Sequence, residues 1–230
     1  MKAIRISALI ACLAAALACH AQSSRHIINV GDFNKLTVVN GVTVRYASVA
    51  DSAGMAVIDC PDEAVSAITF ENKGMKLRIE AVSEEPVESL PAVTVYSMAL
   101  AEAQNWGDST LTVASVNPGP KLKVSVIGNG AIIVPDLQAS EVEASVKAGN
   151  GTVFLSGTAQ KAKYTIMSAG VIEGRTLKAK EVTCNMIGTG SIDCHATNTL
   201  KIKGIGSGSV YFWGDPSVKN HAIGVKAVEM

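Results

Sequence analysis

Residues 121–151 read KLKVSVIGNGAIIVPDLQASEVEASVKAGNG: alternating apolar runs around one glycine–asparagine–glycine triplet, with a second triplet at the end. Taken alone, Asn129-Gly130 between β-branched runs is a hairpin signal. The chain then repeats the corner, as Gly149-Asn150-Gly151, Gly188-Thr189-Gly190 and Gly206-Ser207-Gly208, with Ser168-Ala169-Gly170 as a variant. Sliding the sequence along itself by about 20 residues stacks Leu122, Val142, Ala162 and Val182 in one column, which Leu200 continues after a slightly shorter spacing. Val124, Ala144, Tyr164, Cys184 and Ile202 form a second column, and Val126, Val146, Ile166, Met186 and Gly204 a third. Alternation within each segment marks strands with one buried face, and a period near 20 residues marks a solenoid in which neighbours bury each other.

Residues beyond the corners obey the same period. Ile132, Val153, Ile172, Ile192 and Val210 form one column; Val134, Leu155, Gly174, Cys194 and Phe212 form the next. Each coil therefore holds a strand, a glycine corner and a second strand, with room for a short third strand in segments such as DLQASE and TLKAKE. The fold expected is all-β: a parallel β-helix with about 18–21 residues per coil. Gly128, Gly130, Gly149, Gly151, Gly170, Gly188, Gly190, Gly206 and Gly208 are its structural corners, where positive φ or small size is required. The outward positions agree. Lys121, Glu141, Lys161 and Glu181 alternate in sign down one column, beside Lys123, Glu143, Lys163, Thr183 and Lys201. Coils about 4.8 Å apart bring such charges into contact, which stabilises little but fixes the register.

Residues 22–106 lack this period but still alternate, in FNKLTVVNGVTVRYA, MAVIDC, AITFENKGMKLRIEA and AVTVYSMAL. ENKG reads as a hairpin turn, CPDEAVSAI as one short helical turn, and EEPVESLP as an acidic exposed loop. The organisation expected is an export signal over 1–21, an irregular β-rich capping part over 22–106, and regular coils over 107–230. An open solenoid needs such a cap.

The composition bounds function. The formal net charge is zero and no basic patch appears, which argues against nucleic acid. Lys2 and Arg5 precede an apolar segment, Ile6–Leu17, too short to span a bilayer, so the protein is expected to be exported to the cell envelope or secreted. Cleavage after Ala18, cleavage after Ala21 and lipidation of Cys19 within ALAC are all open, so a lipid anchor is the one membrane link expected. Beyond the signal, Cys60, Cys184 and Cys194 are odd in number, which excludes complete intramolecular pairing. Cys184 and Cys194 both point inward and are read as packed thiols, with a disulfide across the corner as the alternative.

Taken together, the export signal, the F-x-K-L-x-V-x-x-G-V-x-V pattern at Phe33–Val44, the serial G-x-G corners and GSGSVYFWGDPSV at Gly206–Val218 resemble the putative auto-transporter adhesin family with a head GIN domain, found in exported Bacteroidetes proteins. The resemblance covers about residues 27–230 and implies a right-handed β-helix. It brings no catalytic residues with it.

Candidate chemistry is sparse. Glu173 and Asp193 share an outward position on successive coils, a spacing that would suit a retaining glycosidase or a Ca²⁺ ion, but no arginine shares their column. His26, His195 and His221 lack metal-site spacing, no G-x-S-x-G elbow occurs, and GIGSGS lacks the Lys-Ser/Thr of a phosphate loop. No catalytic residue, metal or cofactor is therefore expected. Tyr211 and Trp213 flank buried Phe212 and, with Trp106, are the candidate binding surface; covering the open ends of the stack is their structural alternative. The function expected is a non-enzymatic binding module or adhesin for a glycan or a host or cell-surface protein. A polysaccharide-active enzyme and a homo-oligomeric periplasmic scaffold are the alternatives.

Overall fold

The computed structural model describes residues 23–82 and 90–230, and is nearly all β, with 68% strand and 3% helix. The expected export signal over 1–21, with Cys19, lies outside the described residues, as does most of the EEPVESLP segment. In chain order the first strands are β1 (Ser24–Asn29), β2 (Lys35–Val39), β3 (Val44–Ala47) and β4 (Met55–Cys60). A single turn of helix, α1 (Asp62–Val65), leads to β5 (Ile68–Asn72), β6 (Lys76–Ala81), β7 (Val93–Tyr96), β8 (Glu102–Trp106) and β9 (Thr110–Ser115). Long, bent strands follow: β10 (Gly119–Ile127), β11 (Ala131–Ala148), β12 (Thr152–Ile166), β13 (Val171–Gly188) and β14 (Ser191–Gly206). The chain closes with β15 (Ser209–Trp213), β16 (Ser217–Asn220) and β17 (Lys226–Glu229). All seventeen strands join one continuous sheet, wound as a β-solenoid of about six turns.

Each regular coil has three faces. The front face pairs 131–134 with 152–155, a narrow face pairs 137–139 with 157–159, and the back face pairs 141–146 with 161–166. The three apolar columns that begin at Leu122, Val124 and Val126 are observed in register on the back face, and the column Ile132–Val153–Ile172–Ile192–Val210 on the front face. The narrow face is the expected third strand and buries Leu137, Ala159, Leu177 and Ala179. Coil lengths run from 21 residues (Ala131 to Thr152) down to 17 (Ser209 to Lys226), slightly below the expected range. The alternating charges meet in part: Lys121 Nζ lies 2.9 Å from both Glu141 and Glu143, and Lys161 lies 3.9 Å from Glu181, while Glu141 and Lys161, although in register, make no ion pair within 4.0 Å.

The glycine corners divide into two physical classes. Gly128, Gly149 and Gly188, the first of their triplets, have φ of 125°, 78° and 137°, in the region that side chains avoid. The second glycines, Gly130, Gly151, Gly170, Gly190 and Gly208, are glycine for space: a Cβ there would strike a carbonyl oxygen of the coil below. The first positions Ser168 and Gly206 are not at positive φ, so serine fits the one, while Gly206, whose Cβ would strike the Gly188 carbonyl oxygen, is glycine for space like Gly170. The central residues ladder as well. Asp108 Oδ1 accepts the backbone N–H of Asn129, and Asn129 Oδ1 accepts that of Asn150, both at 3.1 Å.

Before the regular coils, chain order and stacking order part company. On the back face β2 lies between β6 and β8, and on the front face β3 lies between β7 and β9. The coil made by β2 and β3 is thus intercalated beneath a later one. Beyond it, β4 runs antiparallel to β7, β1 antiparallel to β4, and β5 returns antiparallel to β6 through the expected ENKG hairpin. These antiparallel strands close the lower end. At the upper end, the last coil sets Asn220 over Ile202 and Glu229 over Phe212, placing polar residues in the inward columns.

Candidate functional site

One outward column of the front face concentrates chemistry. Phe154, Glu173, Asp193 and Tyr211 stand in register on β12, β13, β14 and β15. Beside this column runs a groove of about 260 Å³, whose apolar part is Ile133, Pro135 and Phe154 and whose polar part is Ser156, Glu173, Arg175 and Asp193. The groove has a local cause. Gly174 pairs with Cys194 but the next pair is Lys178 with His195, so β13 carries three residues, Arg175 to Leu177, that its neighbour lacks. The shortened coil above leaves the Arg175 corner standing proud of the face.

No arginine shares the column of the two acids, as read from the sequence, but Arg175 reaches the same groove from outside that column. It lines the same groove as Glu173 and Asp193, and its guanidinium packs 5.4 Å from the centroid of the Trp213 ring. Among the described residues it makes no ion pair within 4.0 Å, so the stacking on Trp213 orients a guanidinium whose donors stay available. Partial burial pushes the Asp193 carboxyl up from its ordinary value, and attraction to Arg175 offsets this only in part. The arrangement offers an apolar surface, carboxylate acceptors and a fork of donors side by side, the chemistry that recognises a polyol.

The three candidate aromatics are not brought together. Tyr211 and Trp213 are half-buried neighbours on front-face β15, around buried Phe212. Trp106 lies on back-face β8, where Arg78 stacks on it at 5.7 Å and its Nε1–H donates to Gln104 Oε1 at 2.9 Å. Neither position is an open end of the stack, because β8 lies between β2 and β10, and β15 between β14 and β17.

A second groove of about 200 Å³ on the back face is lined by Lys123, Ser125, Glu143, Ser145 and Lys163. Glu143 there is engaged by Lys121 and Lys123, at 2.9 and 3.5 Å, so this groove has less left to offer a ligand. Cys60, Cys184 and Cys194 are free and buried. The contact with Cys194, together with burial, raises the Cys184 thiol well above its usual value, which makes it a poor nucleophile. Among the described residues no three His, Cys, Asp or Glu side chains converge in a metal-binding group, and no helix is long and apolar enough to cross a membrane.

A family model described as "Putative auto-transporter adhesin, head GIN domain" matches residues 32–216. Among solved structures, a putative adhesin from Bacteroides fragilis superposes with a TM-score of 0.80 at 22% identity, over 90% of this chain and 97% of that one. A putative lipid binding protein from Parabacteroides distasonis gives 0.69 at 19% identity, over 91% and 98%. A putative adhesin from Parabacteroides merdae gives 0.66 at 20%, over 92% and 97%. At these identities the likeness is one of fold. No curated protein matches the chain.

Proposed function

From the premise that this chain belongs to the putative auto-transporter adhesin family with a head GIN domain, we propose that it is a non-enzymatic surface-interaction module. In this reading it works outside the cytoplasm, at the cell envelope, and holds a carbohydrate in the front-face groove. The observation that supports it is the convergence there of Phe154, two carboxylates and a Trp213-backed guanidinium. Sugars present an apolar C–H face and a rim of hydroxyls. Phe154 suits the first, while Asp193, Glu173 and Arg175 suit the second. The groove volume, about 260 Å³, suits one or two sugar rings at a time.

The test is a glycan array followed by calorimetric titration of each positive glycan. Asp193→Asn and Arg175→Ala should each weaken capture about tenfold or more, as expected for a charged hydrogen bond worth about 1.5–3 kcal/mol. Trp213→Ala should act through the lost support of Arg175. Undiminished capture by all three variants, with folding intact by circular dichroism, would show that the ligand binds elsewhere.

Hydrolysis is the second reading, and one observation favours it. Glu173 and Asp193 sit one coil apart, about 4.8 Å, near the separation used in retaining glycosidases, and Asp193 is the one with the raised pKa. Reducing-end release from a captured glycan that disappears in Glu173→Gln would replace the binding reading with this one.

A further inference from the structure

We propose that the upper corner of the back face docks on an anionic lipid bilayer. Met167, Ile187, Ile205 and Ile223 are 54%, 57%, 66% and 69% exposed. They follow one another on successive coils: Ile187 pairs with Ile205, Ile205 pairs with Ile223, and Met167 occupies the equivalent position one coil below. With coils about 4.8 Å apart, the four side chains form a ridge roughly 14 Å long. A glycine follows each isoleucine (Gly188, Gly206, Gly224), so nothing bulky shields the tips. Aligned exposed apolar side chains of this kind mark a surface that is covered in use.

Charge identifies the cover. In the coils that carry the ridge, the neighbouring outward columns of the back face hold Lys163, Lys201, Lys203 and Lys219, all exposed. None of the four makes an ion pair among the described residues. The one acid in those columns, Glu181, is already paired with Lys161 at 3.9 Å. Lower on the same face, Lys35, Lys121 and Lys123 have carboxylate partners, and only Lys76, next to Lys35, adds an unpaired lysine there among the strand pairs described. A chain with no net charge thus sets four unpaired lysines beside this exposed apolar ridge. A second copy packed ridge to ridge would set lysine against lysine. A soluble polyanion would satisfy the lysines and leave the isoleucines in water. An anionic bilayer satisfies both, drawing the lysines to its headgroups while the ridge enters the acyl boundary.

The experiment is vesicle co-sedimentation of the full chain with phosphatidylcholine alone and with phosphatidylcholine containing phosphatidylglycerol. Binding is expected to the mixed vesicles only, and to fall with added salt. Lys201→Gln with Lys203→Gln and Lys219→Gln should weaken it by about five-fold per lysine, hence roughly a hundredfold together. Ile187→Ser with Ile205→Ser should weaken it about tenfold or more, since each isoleucine loses its apolar burial. All five positions are exposed, and an unchanged thermal midpoint checks folding. Equal binding to both vesicle types, or an isoleucine variant that binds as well as the parent, would overturn the proposal. So would a dimer in sedimentation that the isoleucine changes abolish while vesicle binding persists.

Discussion

Replacing Tyr164 with phenylalanine should stabilise this protein. The Tyr164 side chain is fully buried, and its hydroxyl has no hydrogen-bond partner. It reaches from the back-face column across the core to Gly174, where a Cβ would come within 2.6 Å of its oxygen. Burial, with smaller contributions from Cys194 and Cys184, raises its pKa well above the usual 10, so it stays neutral at any ordinary pH. An unpaired buried hydroxyl costs about 1–3 kcal/mol relative to water. Removing the oxygen leaves a void of about 10–15 Å³, which at about 24 cal/mol per Å³ costs only about 0.2–0.4 kcal/mol. The balance is a gain of about 1 kcal/mol or more, or about 2–4 °C in melting temperature for each kcal/mol in a chain of this size. Tyr46 supplies the control, since its buried hydroxyl lies 3.2 Å from both the carbonyl and the side-chain oxygen of Ser97. There the same substitution should lose about 1 kcal/mol. Urea denaturation with an unchanged m-value reads both. A Tyr164→Phe loss equal to that of Tyr46→Phe would mean that the hydroxyl is bonded, and would refute the reasoning.

Further outcomes follow from the coil geometry. Gly204→Ala puts a side chain at φ 126°, against the Met186 carbonyl oxygen, and should cost roughly 2–4 kcal/mol by denaturant midpoint. At Gly41, with φ 81° and open space around it, the same change should cost only the conformational part, about 1–2 kcal/mol. The hydrogen bond from Lys121 outweighs burial and holds the Glu143 carboxyl below its ordinary pKa. Its stabilisation is thus complete above the unfolded value of about 4.3 and is lost as pH falls through the lower folded value. Stability should therefore drop as pH falls below about 4.3, and Glu143→Gln should flatten that drop in a pH series of melting curves. Asn220→Val with Glu229→Val makes the inward columns of the last coil apolar, and should produce end-to-end assemblies larger than the parent's species in sedimentation velocity.

The regular coils were legible because a parallel, in-register stack copies each residue's environment to the same place in the next coil. Constant spacing then turns a three-dimensional column, such as Val124–Ala144–Tyr164–Cys184–Ile202, into a period in the sequence. Legibility fails wherever that translation is broken. The β2–β3 coil alternates like any other, and alternation says which face is buried but not which strand lies alongside. Its place beneath β8 and β9 is set by the long excursion through β4, α1, β5, β6 and β7, for which the sequence has no period. The candidate site fails for the same reason on a smaller scale. Arg175 belongs to no column because it lies within the three residues by which β13 exceeds β14. The change of coil length before Leu200 was visible in the sequence and was the available signal, since a shorter coil stacked on a longer one must leave side chains that nothing covers. In a solenoid the repeat therefore encodes the scaffold, and the departures from the repeat are where ligand-binding chemistry can stand. Here that places Arg175 and its Trp213 support, rather than the glycine corners, at the candidate site.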